Sequence, residues 1–162
     1  MRILSALLLI ICAQAVGAGD FRYKHYRHEP FRHLEFDVLT RWIQTQDGLV
    51  TAFIDPVSPG PSLYLQTLQK TEEFQDAQSF LEFLKQQGPV IPSGPALSAT
   101  AGSFPAITFE YPDPESSQPY YVYSLIVDVG EGILWFYLSV PEEHAALFKP
   151  VLERVQATFS FR

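Results

Sequence analysis

Four histidines are the residues of this sequence best suited to binding a metal ion or transferring a proton. His25, His28 and His33 lie close together, and His144 follows far downstream beside the glutamates at 142–143. Neutral imidazoles and carboxylates are common ligands of zinc and manganese. Two interpretations stay open: a metal site that joins these groups, or solvated imidazoles that respond to pH near their ordinary pKa of about 6.5.

Nucleophiles lack the sequence context that catalysis requires. No serine lies in a G-x-S-x-G or S-x-x-K pattern, and no glycine-rich phosphate loop is present. The single cysteine, Cys12, falls in the N-terminal leader. We therefore expect a non-enzymatic protein with no catalytic residues, no metal site and no cofactor. The alternative is a hydrolase or metalloenzyme whose site forms only in three dimensions.

A basic segment precedes an acidic remainder. Residues 20–33 contain four basic and two acidic residues, whereas 34–162 contain six basic and sixteen acidic residues. The formal net charge of −7 disfavours nucleic-acid binding. We expect residues 19–33 to form a flexible basic arm, which is either a solvated terminus or a docking arm for an acidic partner. The candidate partner-binding residues are Arg22, Lys24, Arg27 and Arg32.

The first 18 residues have the pattern of a secretory signal peptide. Arg2 precedes an apolar run over 3–13, and small residues follow it. The run is shorter than the roughly 20 residues that span a bilayer as a helix. A lipid anchor at Cys12 is the less favoured alternative, because Ile11 is not the small residue that lipoprotein signals place there. We expect export to a periplasm, a lumen or an extracellular space.

Strand and hairpin patterns dominate the remaining chain, 34–162. Residues 34–38 alternate apolar and acidic side chains, and Asp47-Gly48 separates two strand-like runs. Further strands are predicted near 63–68, 106–111, 120–129 and 133–140, and helices over 74–87 and 141–159. Asp76 and Ser79 are alternative caps of the first helix. This order predicts a single α+β domain, with an antiparallel sheet of about six strands flanked by helices.

Six short motifs, in order along the chain, resemble the PsbP family of extrinsic photosystem II proteins. Residues 21–26 (FRYKHY) are similar to its aromatic start, and 34–38 (LEFDV) followed by Trp42 to its strand-and-turn signature. The other four are AFIDP at 52–56, EY at 110–111, LSVPE at 138–142 and VQATFSF at 155–161. Each motif alone is weak, and their order and spacing carry the resemblance.

The resemblance implies a PsbP-like α-β-α sandwich and a role at the membrane periphery. It implies a non-enzymatic accessory protein of the thylakoid lumen, which binds luminal subunits of photosystem II and supports its assembly or its oxygen-evolving complex. Calcium binding is implied by the family only. The alternative is a periplasmic or secreted module of the same fold, with a different protein or envelope partner. We expect a monomer.

Overall fold

The computed structural model describes residues 21–28, 33–57, 60–88, 90–113 and 118–162. The predicted leader over 1–18, Cys12 and Arg32 lie outside this part of the chain. The described elements are, in order, β1 (Tyr23–Arg27), β2 (Leu34–Leu39), β3 (Ile43–Asp47), β4 (Val50–Ile54), β5 (Ser62–Gln69), α1 (Ala77–Gln87), β6 (Leu97–Ala101), β7 (Phe104–Asp113), β8 (Tyr120–Asp128), β9 (Gly132–Pro141), α2 (Ala145–Thr158) and β10 (Ser160–Phe161).

Two antiparallel sheets form the framework. The large sheet has the strand order β3-β4-β5-β9-β8-β7-β6, and the small sheet has the order β1-β2-β10. Every pairing in both sheets is antiparallel. The predicted α+β class is therefore confirmed. The large sheet has seven strands, close to the predicted six; β1, β6 and β10 are not predicted from the sequence, because they are short and carry few apolar residues in alternation.

Tight turns fix the register of the hairpins. Gly48 and Leu49 connect β3 to β4, with Asp47 paired to Val50, and Gly48 has a φ of 55°. Because L-residues with a side chain rarely adopt such a positive φ, glycine suits this position. Gly130, with a φ of 86°, serves the β8–β9 hairpin in the same way.

The large sheet buries apolar side chains on both faces, which we call the inner and outer face. The inner face packs against α2 and the small sheet; Leu65, Leu125 and Phe136 are among its fully buried residues. The outer face packs against α1 through residues such as Ile126 and Ile133. Helix α1 contacts β7 and β8, so the outer face over β3, β4 and β5 carries no described helix. The result is a three-layer sandwich with one half-open side.

Local capping explains where the helices begin. The Asp76 carboxylate accepts the backbone N–H of Ser79, and the Ser79 hydroxyl accepts the backbone N–H of Asp76. This capping box identifies Asp76, not Ser79, as the residue that starts α1. The second helix, α2, contains Pro150 in its interior. A 3-10 turn, Glu142–His144, precedes it.

The predicted flexible arm is wrong for its described part. Residues Tyr23–Arg27 form β1 and pair along their whole length with β2. The Tyr26 ring packs against Phe36 and Phe53, with ring centroids 5.2 and 4.8 Å away. A segment of largely polar sequence is thus held by backbone pairing and by partly buried aromatic side chains that pack against the core. Within the described residues, no helix is long and apolar enough to cross a membrane.

Candidate functional site

Charged side chains gather around the small sheet, on the outward face of β1 and, for Lys24, on the side of Tyr26 toward Trp42. Because Tyr26 points into the core, the alternation of β1 directs His25 and Arg27 outward. The register places His25 opposite Asp37 and Arg27 opposite Glu35. We call this region the small-sheet surface; its members are Arg22, Tyr23, Lys24, His25, Arg27, His33, Glu35, Asp37, Arg154 and Arg162.

Asp37 is the centre of this surface. One carboxylate oxygen accepts two hydrogen bonds from Arg154, from Nε at 2.9 Å and from Nη2 at 2.7 Å. The other oxygen lies 3.1 Å from Nδ1 of His25. The Asp37 backbone N–H donates to the Thr158 hydroxyl at 2.9 Å. Since Asp37 is buried and its partners are charge-assisted, it fastens α2 to β2.

Glu35 forms the second, more exposed half of the network. Its carboxylate accepts from Nε of Arg27 at 2.7 Å and lies 2.6 Å from Nη2 of the same residue. Nε2 of His25 lies 3.3 Å from the same carboxylate group. His25 therefore bridges two carboxylates, and its hydrogen bonds to Asp37 and then Glu35 raise its pKa above the ordinary value. The Arg27 guanidinium, followed by His25, lowers the pKa of Glu35.

The predicted partner-binding residues differ in whether their side chains already have a partner within the protein. Arg22 is exposed and has no side-chain partner among the described residues; its carbonyl accepts the Thr40 N–H at 2.9 Å. The Lys24 ammonium donates to the Trp42 carbonyl at 3.2 Å. Arg27 is paired with Glu35, as above. The structure brings these three side chains to one sheet, but two of them already have partners.

The four histidines do not converge. His28 is buried, and its Nε2 lies 3.0 Å from the Thr51 hydroxyl; burial lowers its pKa. His33 is exposed, and His144 lies at the start of α2, 3.4 Å from Glu143. Over the described ranges, no group of three or more His, Cys, Asp or Glu side chains is arranged to hold a metal ion.

Charge is strongly segregated between the small-sheet surface and the rest of the described chain. The surface carries five Arg or Lys residues against two carboxylates, which leaves +3 with neutral histidines. The other described residues carry four Arg or Lys against thirteen Asp or Glu, which leaves −9. Sequence reasoning missed Arg154 and Arg162, since both belong to an acidic stretch of sequence and reach the small sheet only through the fold.

A groove of about 420 Å³ lies between α2 and the strands β6–β8. Its polar lining includes Glu110, Tyr123, Lys149, Glu153 and Gln156. The Lys149 ammonium lies 3.4 Å from the Glu110 carboxylate and 5.5 Å from the centre of the Tyr123 ring. Burial, followed by the nearby Glu110 carboxylate, raises the pKa of Tyr123 to about 12. Its hydroxyl therefore stays protonated at neutral pH, and the lining offers no paired nucleophile and base.

Comparison with known proteins identifies the fold. No protein-family profile and no curated protein sequence matches the chain. Among solved structures, the chain is similar to cyanobacterial PsbP (CyanoP) from Synechocystis, with 16% identity, a TM-score of 0.66 and coverage of 86% of this chain and 92% of that one. It is also similar to the Ran-binding protein Mog1p of Saccharomyces cerevisiae, with 10% identity, a TM-score of 0.65 and coverage of 87% and 96%.

A third similar structure is a protein from Bacteroides thetaiotaomicron, with 15% identity and a TM-score of 0.63. The match covers 86% of this chain but 48% of that one, so this chain spans about half the length of that protein. At these identities the likeness concerns the fold alone. The chain thus has the α+β sandwich fold that PsbP and Mog1p share, in agreement with the fold that the sequence motifs imply.

Proposed function

We propose that this protein is a non-enzymatic accessory protein that docks through the small-sheet surface onto an acidic surface of a larger complex. The segregation of charge is the observation that carries this proposal, because a +3 surface on a −9 body orients the molecule toward negative potential. The resemblance of its motifs to the PsbP family supports the luminal side of photosystem II as the proposed partner, after export to the thylakoid lumen.

Two arginines of the small-sheet surface, Arg22 and Arg162, have no side-chain partner among the described residues, and others have partners that can be exchanged. Arg22 is exposed and unpaired among the described side chains. The Arg27–Glu35 pair is largely solvated on the arginine side, so exchanging Glu35 for a partner carboxylate costs little. The Asp37–Arg154 pair is more buried and stays in place as the support. Docking would then occur without rearranging the fold.

The fold itself is compatible with protein binding. Mog1p, which shares this fold at a TM-score of 0.65, is named a Ran-binding protein. The PsbP neighbour gives the more specific direction, because the sequence motifs also resemble that family.

Binding to salt-washed photosystem II membranes tests the proposal. We expect Arg22→Glu and Arg27→Glu each to weaken binding by about three- to tenfold, because each replaces an attraction with a repulsion. Lys85→Glu is the matched control, since Lys85 forms an exposed pair with Glu82 on α1, far from the small sheet. Circular dichroism confirms that each variant is folded.

Two results would contradict the proposal. Equal binding by the Arg22→Glu, Arg27→Glu and Lys85→Glu variants would show that the small-sheet surface is not the docking site. Absence of wild-type binding to photosystem II membranes at low salt would remove that complex as the partner.

A further inference from the structure

The hairpin of β3 and β4 exposes an unusual amount of apolar surface. Ile43, Leu49 and Ile54 of the hairpin are exposed by 55, 65 and 38%, and Val57, which follows β4, by 72%; only two other large hydrophobic residues of the described chain are exposed. Ile43 and Ile54 are directly paired across the two strands. All five residues of β3 are exposed. One edge strand of the large sheet is therefore open, and exposed apolar side chains lie on and beside it.

The backbone direction along β3 follows from its neighbours. The Thr67 N–H donates to the Leu49 carbonyl, so the backbone N–H and C=O groups of odd-numbered residues along β4 point toward β5. The backbone groups of even-numbered residues of β4 then point toward β3, where they bond to the backbone groups of the odd-numbered residues of β3. Consequently the N–H and C=O groups of Gln44 and Gln46 point away from the sheet. No described residue bonds to these four groups.

The free edge is limited at both ends. Before it, the Trp42 carbonyl accepts the Lys24 ammonium at 3.2 Å, and the Trp42 N–H donates to the Leu39 carbonyl at 3.1 Å. After it, the chain turns at Gly48. Strand β3 contains no lysine or proline, the residues that commonly protect a sheet edge. The opposite edge strand, β6, has its Thr100 carbonyl covered by the Gln156 amide.

We infer that β3 pairs with β3 of a second copy of this chain, antiparallel and around a two-fold axis at Thr45. This register places Gln44 opposite Gln46 of the second copy, and the reverse pair is equivalent. Each pair exchanges two backbone hydrogen bonds, so four bonds satisfy all the outward groups of both edges. No other antiparallel register does so, because any shift leaves a glutamine opposite Trp42 or the Gly48 turn.

The side chains favour a second copy over a charged partner. In this register two glutamine pairs face each other on the inner side, and Thr45 meets its own copy on the outer side. Ile43 meets Asp47 of the second copy, so no like charges are directly opposed. The apolar Ile43–Ile54 surfaces of both copies join into one outer face. The interface is small, and two chains of −7 repel, so a weak dimer that salt strengthens is expected.

Charge substitution at Thr45 tests this inference. Because the axis places Thr45 against its own copy, Thr45→Lys or Thr45→Glu opposes like charges at the centre. Sedimentation over about a hundredfold concentration range should show a wild-type dimer, with association at least about tenfold weaker in either variant. An equal mixture of the two variants should recover the dimer. Gln66→Lys, on the same face but two strands from the edge, is the control and should dimerise.

The outcomes separate this inference from the proposed docking function. A wild-type chain that stays monomeric at all concentrations and at high salt would overturn it, as would a variant mixture that fails to associate. The inference would also be overturned if the wild type were monomeric but bound a different polypeptide that the Thr45→Lys variant no longer binds. The edge would then be the binding site of that polypeptide. The dimer should strengthen with salt, whereas docking through the small-sheet surface should weaken. A confirmed dimer would replace the monomer expected from the sequence.

Discussion

The small-sheet surface and the β3–β4 hairpin offer two exposed strands with opposite chemistry. On β1, cationic side chains are numerous, and the pairing of β1 with β2 uses the neighbouring strand's acidic residues. On β3, the single charged residue is Asp47, and the free groups belong to the backbone. The first surface selects a partner by charge, and the second selects a strand by hydrogen bonding. Salt should therefore affect their interactions in opposite directions.

The two regions also differ in how they are attached to the core. The small sheet contributes Phe36, which is fully buried and contacts the rings of Tyr26, Phe53 and Phe136. The hairpin instead places Ile43 and Ile54 on an open face. The small sheet is thus part of the folded core, whereas the outer side of the hairpin is exposed.

Removing the Phe36 ring should have the largest effect. Phe36→Ala deletes a fully buried aromatic and leaves a cavity, so we expect the free energy of unfolding to fall by about 3–5 kcal/mol. Ile43→Ala, on the exposed strand, should change it by less than about 0.5 kcal/mol. Urea denaturation measures both. A similar loss in the two variants would show that the hairpin is as deeply packed as the small sheet.

Asp37→Asn should have an intermediate effect. The substitution keeps the shape but removes the negative charge that holds Arg154 and His25, so we expect a loss of about 1–2 kcal/mol in the free energy of unfolding. Glu35→Gln, at the exposed half of the same network, should cost less than Asp37→Asn, because solvent screens its ion pairs. Equal losses would mean that burial does not distinguish the two carboxylates. The same urea titration gives both values.

Two histidines, one exposed and one buried, should have pKa values shifted in opposite directions. His25, bonded to Asp37 and Glu35, has a raised pKa, so its contribution to stability is complete below its unfolded pKa and is lost as pH rises through the folded pKa. Buried His28 has a lowered pKa, so its contribution is present above the unfolded pKa and is lost as pH falls through the folded pKa. NMR titration of the imidazole signals should find His25 above His28. The reverse order would contradict both environments.

The sequence predicts the fold better than it predicts the site. Alternation over 34–38 and the Asp47-Gly48 turn act locally, so strands β2 to β4 could be recognised without a structure. Strand β1 could not, because YKHYR contains no aliphatic residue and its stability depends on pairing with β2. The charged network around Asp37 could not be predicted from the sequence for a similar reason. Arg154 lies 117 residues from Asp37, and nothing in their spacing joins them.

The salt dependence of binding to photosystem II membranes tests the central claim most directly. For the wild-type protein, the binding constant should fall steadily as salt concentration rises, and the fall should be shallower for Arg22→Glu than for Lys85→Glu. A wild-type binding constant that is unchanged or increased by salt would contradict docking through the small-sheet surface.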